Sequence, residues 1–233
     1  MIDISRNGIE FKITSVCDEG FSWWNNYNNW EKETFAVFDK YLRSDMVYFD
    51  LGTYTGQTVL YASQKVKNVY GVELDIRAFN ACSENIKANN MTNIVVDNIA
   101  ISNTNGYVNC TGKLGGSSRR ISNTEGSETE SMTIDSLMSK WGVDTCDFIK
   151  IDIEGAEEII LPAMDDFFNK HKPIVWLSVH RHYGATADTI VNSLGKIYNT
   201  VYDYLGNEVT GNLRNAINSG PPGFGNDYLF INE

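Results

Sequence analysis

The chain has 233 residues, 42% of them hydrophobic and 21% charged, an ordinary content for one soluble α/β domain with a single core. Nineteen Lys and Arg against thirty Asp and Glu leave a net charge of -11, a field that repels phosphate backbones and anionic membranes and argues against nucleic acid as a partner. No apolar run approaches a membrane span, MIDISRNGIEFK lacks the pattern of a secretory leader, and Cys17, Cys82, Cys110 and Cys146 form no C-x-x-C pair. The expectation is a cytoplasmic protein with free thiols, not inserted in a membrane and not built on disulfides or zinc.

Residues 1–45 read as an extension of the domain that occupies 46–233. Ile9 to Ile13 alternate as a strand does, and FSWWNNYNNW then sets Phe21, Trp23, Trp24, Tyr27 and Trp30 within ten residues. Such rings either pack a helix onto the core or form a platform for a flat ligand or a sugar face. EKETFAVFDKYL, Glu31 to Leu42, has helical spacing in Phe35, Phe38 and Leu42.

MVYFDLGTYTG, Met46 to Gly56, is an apolar run that ends in an acid and two glycines, and Thr58 to Val66 then suits a helix. A strand, a tight turn and a helix in that order make a nucleotide-type site. Gly52 lets the backbone turn or a ligand approach, and Gly56 lets the helix start pack closely. A dinucleotide fingerprint G-x-G-x-x-G needs a glycine where this chain has Tyr54, which disfavours a pyrophosphate.

NVYGVELD reads as a second buried strand, with Glu73 at its end, 21 residues after Gly52. At that distance an acid can accept both ribose hydroxyls. A helix follows from about Ile76 to Asn89, then a strand from Asn93 to Val96, and Asp97 and Asn98 reach the carboxyl edge, where side chains can bond an adenine edge. Tyr107 to Thr111 suggest a further strand, and the polar stretch 112–130 reads as a mobile loop over the site, with Arg119 and Arg120 solvated in it.

DFIKIDIEGAEEIIL, Asp147 to Leu161, is a buried strand interrupted by Lys150, Asp152 and Glu154 on one side. Charges so placed must pair, touch a ligand or sit at the open strand end. PIVWLSVH, Pro173 to His180, is the next strand, and His180 and Asp152 should project from neighbouring carboxyl ends. Either could take the proton from an alcohol; His180, His182 and Asp152 could instead gather a divalent metal, a reading not favoured on so few ligands. Helix 185–197, strands 198–204 and 227–232, and a rim loop SGPPGFGN complete the chain.

Together VYFDLGTYTGQT, VYGVELD, NIAIS, TIDSL and IKIDIEGAE resemble the FkbM-type family of methyltransferases that use S-adenosylmethionine, from about Met46 to His180. The resemblance implies a Rossmann-like class I fold: a seven-stranded, mostly parallel sheet, helices on both faces, and an antiparallel last strand. It implies a cofactor set of Asp50, Gly52, Thr53, Tyr54, Gly56, Glu73, Leu74, Asp97, Asn98 and Asp152. Asp50 and the Gly52 turn would take the amino acid part, Glu73 the ribose, and Asp97 and Asn98 the adenine. Asp152 and His180 are the candidate bases, supported by Glu154 and Lys150, for O-methyl transfer to a small polar acceptor, most plausibly a sugar of a glycan or glycoside. Many members have an acid shortly before the histidine, where this chain has Ser178. The alternatives are a nicotinamide-dependent oxidoreductase and a nucleotide-binding module without catalysis.

Overall fold

The computed structural model describes residues 1–17, 20–122, 124, 126–221 and 226–233. In chain order the strands are β1 (Ile2–Arg6), β2 (Ile9–Ile13), β3 (Val47–Leu51), β4 (Asn68–Val72), β5 (Ile94–Asp97), β6 (Ala100–Ile101) and β7 (Gly106–Thr111). They continue with β8 (Arg120–Ser122), β9 (Ser127–Met132), β10 (Phe148–Ile151), β11 (Ile174–Ser178), β12 (Thr200–Asp203) and β13 (Asp227–Ile231). The helices are α1 (Gly20–Asn25), α2 (Lys32–Tyr41), α3 (Gln57–Ala62), α4 (Ile76–Ala88), α5 (Ile134–Trp141), α6 (Glu157–Ile160), α7 (Asp165–His171), α8 (Ala187–Ser193) and α9 (Leu213–Ser219).

Seven strands form one sheet in the order β12-β13-β11-β10-β3-β4-β5, in which only β13 runs antiparallel to its neighbours. Every residue of β3 is buried, as a central strand covered on both faces requires. Its successive side chains go to opposite faces: Phe49 and Leu51 join Ile149 and Ile151 under α5 to α9, while Tyr48 joins Phe148 and Trp176 under the N-terminal segment and α2 to α4. From β3 the chain moves outward to β4 and β5, then returns to place β10 on the other side of β3. That reversal opens a crevice at the carboxyl ends of β3 and β10, where open α/β sheets bind ligands.

The N-terminal segment packs on this body through Trp24, Tyr27, Phe35 and Phe38, all at most 2% exposed. Arg6, from the β1–β2 hairpin, holds it by donating to the Tyr27 and Trp30 carbonyls at 2.7 and 2.9 Å, with its guanidinium 3.7 Å from the Phe35 ring centre. Each of these buried rings contributes about 1.5–3 kcal/mol of transfer free energy. The side chain of Phe21 lies outside the described residues.

Part of the stretch expected to be a mobile loop is instead strand. The strand expected over Tyr107 to Thr111 is β7; it forms a separate four-stranded sheet with β6, β8 and β9, the last two of which begin within 112–130. Alternation in SETESM is masked by polar residues on both faces, so burial patterning could not reveal the strand. Nor is Arg119 solvated: its side chain is 9% exposed and pairs with Asp75 at 3.3 Å, while Arg120 lies 4.0 Å over the Tyr183 ring. Of the expected rim loop, Ser219 to Asn226, Ser219 ends α9 and Pro222 to Gly225 lie outside the described residues. Among the described residues no helix is long and apolar enough to cross a membrane.

Candidate functional site

A cavity of about 600 Å³ opens at the carboxyl ends of β3, β4, β10 and β11. Its first wall is the turn after β3. Gly52 sits at φ +96°, and a Cβ there would collide with the Asp152 carbonyl oxygen, so this glycine is required by the close approach of two strand ends as well as by its backbone angle. Thr53, Tyr54 and Leu74 line the cavity with it. Tyr54 adopts φ 47°, a left-handed conformation that costs a bulky residue about 1–3 kcal/mol and turns its N–H onto Glu73 Oε2 at 2.8 Å.

Glu73 is the acid at the end of β4. Its Oε1 accepts from Asp75 N at 2.8 Å, so each oxygen holds one backbone N–H and keeps one acceptor lobe for something else. Burial pushes its pKa up to about 7. Asp75 caps α4 and also accepts from Gly115 N, tying the β7–β8 connection, with Ser117, Ser118 and Arg119, against the cavity.

Four residues expected at the cofactor lie outside the cavity lining. Asp50 is fully buried behind the turn, where Tyr48 Oη and Thr58 Oγ1 donate to its Oδ2 at 2.8 and 2.5 Å. Gly56 is the N-cap of α3, beside Cys82. Asp97 turns the other way, accepting from Lys140 Nζ and Trp141 Nε1 at 2.5 and 2.7 Å. Asn98 donates to the Glu73 and Leu74 carbonyls at 2.8 and 3.2 Å, and so steadies the acid without facing the cavity. The wall where Asp97 and Asn98 were expected is instead Ile99, Ala100 and Ile101.

The opposite end is a network of charged side chains. Lys150, 2% exposed at the end of β10, donates to Asp152 Oδ2 at 2.7 Å. Asp152 and Glu154 lie beyond the strand, so the three charges are not one strand face: Glu154 stands in a turn at φ 54°, followed by Gly155, where any Cβ would strike Tyr183. His180 Nε2 lies 3.4 Å from Asp152 Oδ1 and 3.6 Å from Glu154 Oε2, and its Nδ1 meets Glu157 Oε1 at 2.7 Å. Burial alone would lower the imidazolium pKa, but Glu157, Asp152 and Glu154 outweigh it and raise it to about 9. These acids favour the charged form of His180, in which the ring has no lone pair free to take a proton. Burial likewise works on Asp152, but Lys150 and His180 overcome it and hold that carboxyl low, whereas burial pushes Glu154 up to about 7.

Asp152, Glu154 and His180 each offer a ligand atom within 4.8 Å of one another, whereas His182 is not in that group. Lys150 and His180 already contact these acids.

Sequence reasoning missed two acids here. Asp227, at the start of β13, stands opposite Ser178 in the strand register and places an acid beside it. Burial raises Asp227 to about 6 and also raises Glu31. Glu31 is held at φ 40° at the start of α2, an angle with no sequence signature in a glutamate. Both line the cavity, with Trp23, Asn26, Asn29 and Trp30 beside them. The indoles of Trp23 and Trp30 stack 6.4 Å apart. The aromatic cluster thus divides: Trp24 and Tyr27 are core, Trp23 and Trp30 are wall.

The family model for the methyltransferase FkbM domain matches residues 50–208, more than half of the chain. An uncharacterised protein of Methanocaldococcus jannaschii is 38% identical over 68 residues, covering 28% of this chain and 26% of that protein. The ribosomal protein L11 methyltransferase of Clostridium perfringens is 44% identical over 61 residues, covering 26% and 20%. The chain thus matches about a quarter or less of the length of these curated relatives. Among solved structures, an rRNA methylase from Streptococcus thermophilus superposes with a TM-score of 0.50 at 8% identity, covering 86% of this chain and 95% of that one, a likeness of fold.

Proposed function

The chain belongs to the methyltransferase FkbM domain family, which uses S-adenosylmethionine, and from that premise we propose that it methylates a hydroxyl oxygen of a small polar acceptor, a sugar of a glycan or glycoside. The observation that carries this reading is one cavity with Glu73 at one end and Glu154, beside Asp152 and His180, at the other. The donor fits the first end. Glu73 has two acceptor lobes left for ribose hydroxyls, Ile99 to Ile101 offer an apolar wall for a base, and Thr53 Oγ1 and Gln57 Nε2 are buried polar atoms with no hydrogen-bond partner among the described residues.

When bound, S-adenosylmethionine supplies a methyl on a positively charged sulfur, which leaves as neutral S-adenosylhomocysteine once an oxygen has taken the methyl. Glu154, with its pKa near neutrality, receives the hydroxyl proton as the carbon–oxygen bond forms. Asp152 orients the acceptor and, with Glu157, keeps His180 cationic, while Lys150 prevents Asp152 from becoming a competing base.

The acceptor wall supports an uncharged or amine-bearing sugar over an anionic one. Asp152 and Asp227, and Glu154 when ionised, would repel phosphates and uronates, and the net charge of -11 adds to that. Trp23 and Trp30 give a sugar face an apolar surface. The test is transfer of an isotopically labelled methyl from S-adenosylmethionine to neutral glycosides, amino sugars, sugar phosphates, RNA and ribosomal protein, with and without EDTA. The expected result is an EDTA-insensitive methyl ether on a neutral or amino sugar. Label in RNA, in protein or on nitrogen would overturn the acceptor assignment and leave the donor assignment standing.

A further inference from the structure

Gln57 is the first residue of α3 and lies in the wall of the cavity, yet it is 2% exposed and its Nε2 has no hydrogen-bond partner among the described residues. A buried amide donor left unpaired is costly, and native structures seldom keep one without a use. Its orientation is set from outside the site. The Trp24 indole, which can only donate, gives its N–H to Thr55 Oγ1 at 3.2 Å, and Thr55 in turn donates to Gln57 Oε1 at 3.2 Å. The Tyr27 hydroxyl donates to the Gln57 carbonyl at 2.7 Å, pinning the backbone of the same residue. The amide oxygen is thereby occupied, and the NH₂ is the end left over.

We infer that Gln57 binds the carboxylate of the amino acid part of the methyl donor, with the buried indole of Trp24 acting through Thr55 as a positioning residue. This rests on the reading of the cavity as the donor site. The chemistry required at Nε2 is an acceptor, and in S-adenosylmethionine the strongest acceptor remote from the ribose is that carboxylate. Glu73 stands at the end of β4, Gly52 and Thr53 in the turn after β3 and Gln57 at the start of α3, and all four line this one cavity. The N-terminal segment would then serve both ends of the site: Trp23 and Trp30 in the acceptor wall, Trp24 in the support of the donor.

The experiment compares S-adenosylhomocysteine with 5′-methylthioadenosine, which has the same nucleoside and lacks the amino acid, by calorimetric titration of the full chain. Gln57→Leu is expected to weaken S-adenosylhomocysteine by about tenfold or more and to change 5′-methylthioadenosine by less than about twofold. Gln57→Glu keeps the shape and the Thr55 contact but sets charge against charge, and should weaken S-adenosylhomocysteine further still with the same selectivity. Thermal unfolding of each variant shows that it is folded. Equal losses for both nucleosides, or no loss for either, would overturn the assignment of Gln57. Failure of the unaltered protein to bind either nucleoside would overturn the donor site, and this inference with it.

Discussion

The two ends of the cavity are built on different principles. At the β4 end the acid is held by the main chain: Glu73 takes one N–H from Tyr54 and one from Asp75, and Asn98 clamps the carbonyls behind it. At the β10 end the acids are held by other side chains, Lys150 and His180. Backbone bonds fix a geometry that changes little with pH or ligand, as suits a donor that is always the same. Interlocked charges have pKa values that depend on every neighbour, as suits a step in which a proton must move.

The strongest way to break this division is to strike the point where the two ends touch. Gly52→Ala adds a Cβ against the Asp152 carbonyl at a residue with φ +96°. The angle alone costs about 1–3 kcal/mol. The expected outcome is a markedly lower unfolding temperature with both donor binding and turnover lost.

Glu154→Gln should act on one end only, lowering turnover by about 10²–10⁴-fold while S-adenosylhomocysteine binding is kept. With the native residue, turnover at saturating donor should rise with pH through about 7, because only the ionised carboxylate receives a proton. A pH-independent rate would remove Glu154 from that role. Asp152→Ala should likewise cost orders of magnitude in turnover with donor binding retained, since it leaves Lys150 buried without its partner.

Glu73→Gln tests the other end, with an expected loss of about 10–100-fold in affinity for S-adenosylhomocysteine. Its pH dependence has a definite sign. In the folded chain the carboxyl keeps its proton up to about pH 7, against 4.5 for the free group, so stability falls as pH rises between those values. Ribose hydroxyls donate to the ionised form, so nucleoside affinity should rise over the same range and level off above it. Loss of that rise in Glu73→Gln identifies the group.

The smallest effect is expected from Asp97→Ala. Asp97 pairs with Lys140 and Trp141 on the far side of its strand end, so donor affinity should change by less than about twofold, with a stability loss of about 1 kcal/mol or less. A large loss of nucleoside affinity would return Asp97 to the site.

What the sequence revealed follows the same division. The Gly52 turn and Glu73 are written in contiguous stretches whose spacing is set by one strand, one turn and one helix, whereas the seven-stranded sheet and its antiparallel last strand were implied by the family resemblance. The charged network was legible as a list, Lys150, Asp152, Glu154 and His180, but not in its roles. Those depend on Glu157, buried 2.7 Å from the imidazole, and on Glu31 and Asp227, which reach the cavity from elements far away in the chain. Asp97 misled because an acid at a strand end has two sides to turn to, and Trp141 takes one of them only in the folded chain. The β8 and β9 strands were hidden because neither face of them is uniformly apolar.

The most direct test of the account is calorimetric titration of the unaltered protein with S-adenosylhomocysteine and, separately, with NAD, at pH 8, where Glu73 is ionised. Binding of S-adenosylhomocysteine on the order of micromolar, about -8 kcal/mol, with no heat from NAD is the predicted result. NAD binding alone, or no binding of S-adenosylhomocysteine, would contradict the assignment of Gly52, Tyr54 and Glu73 to a methyl donor.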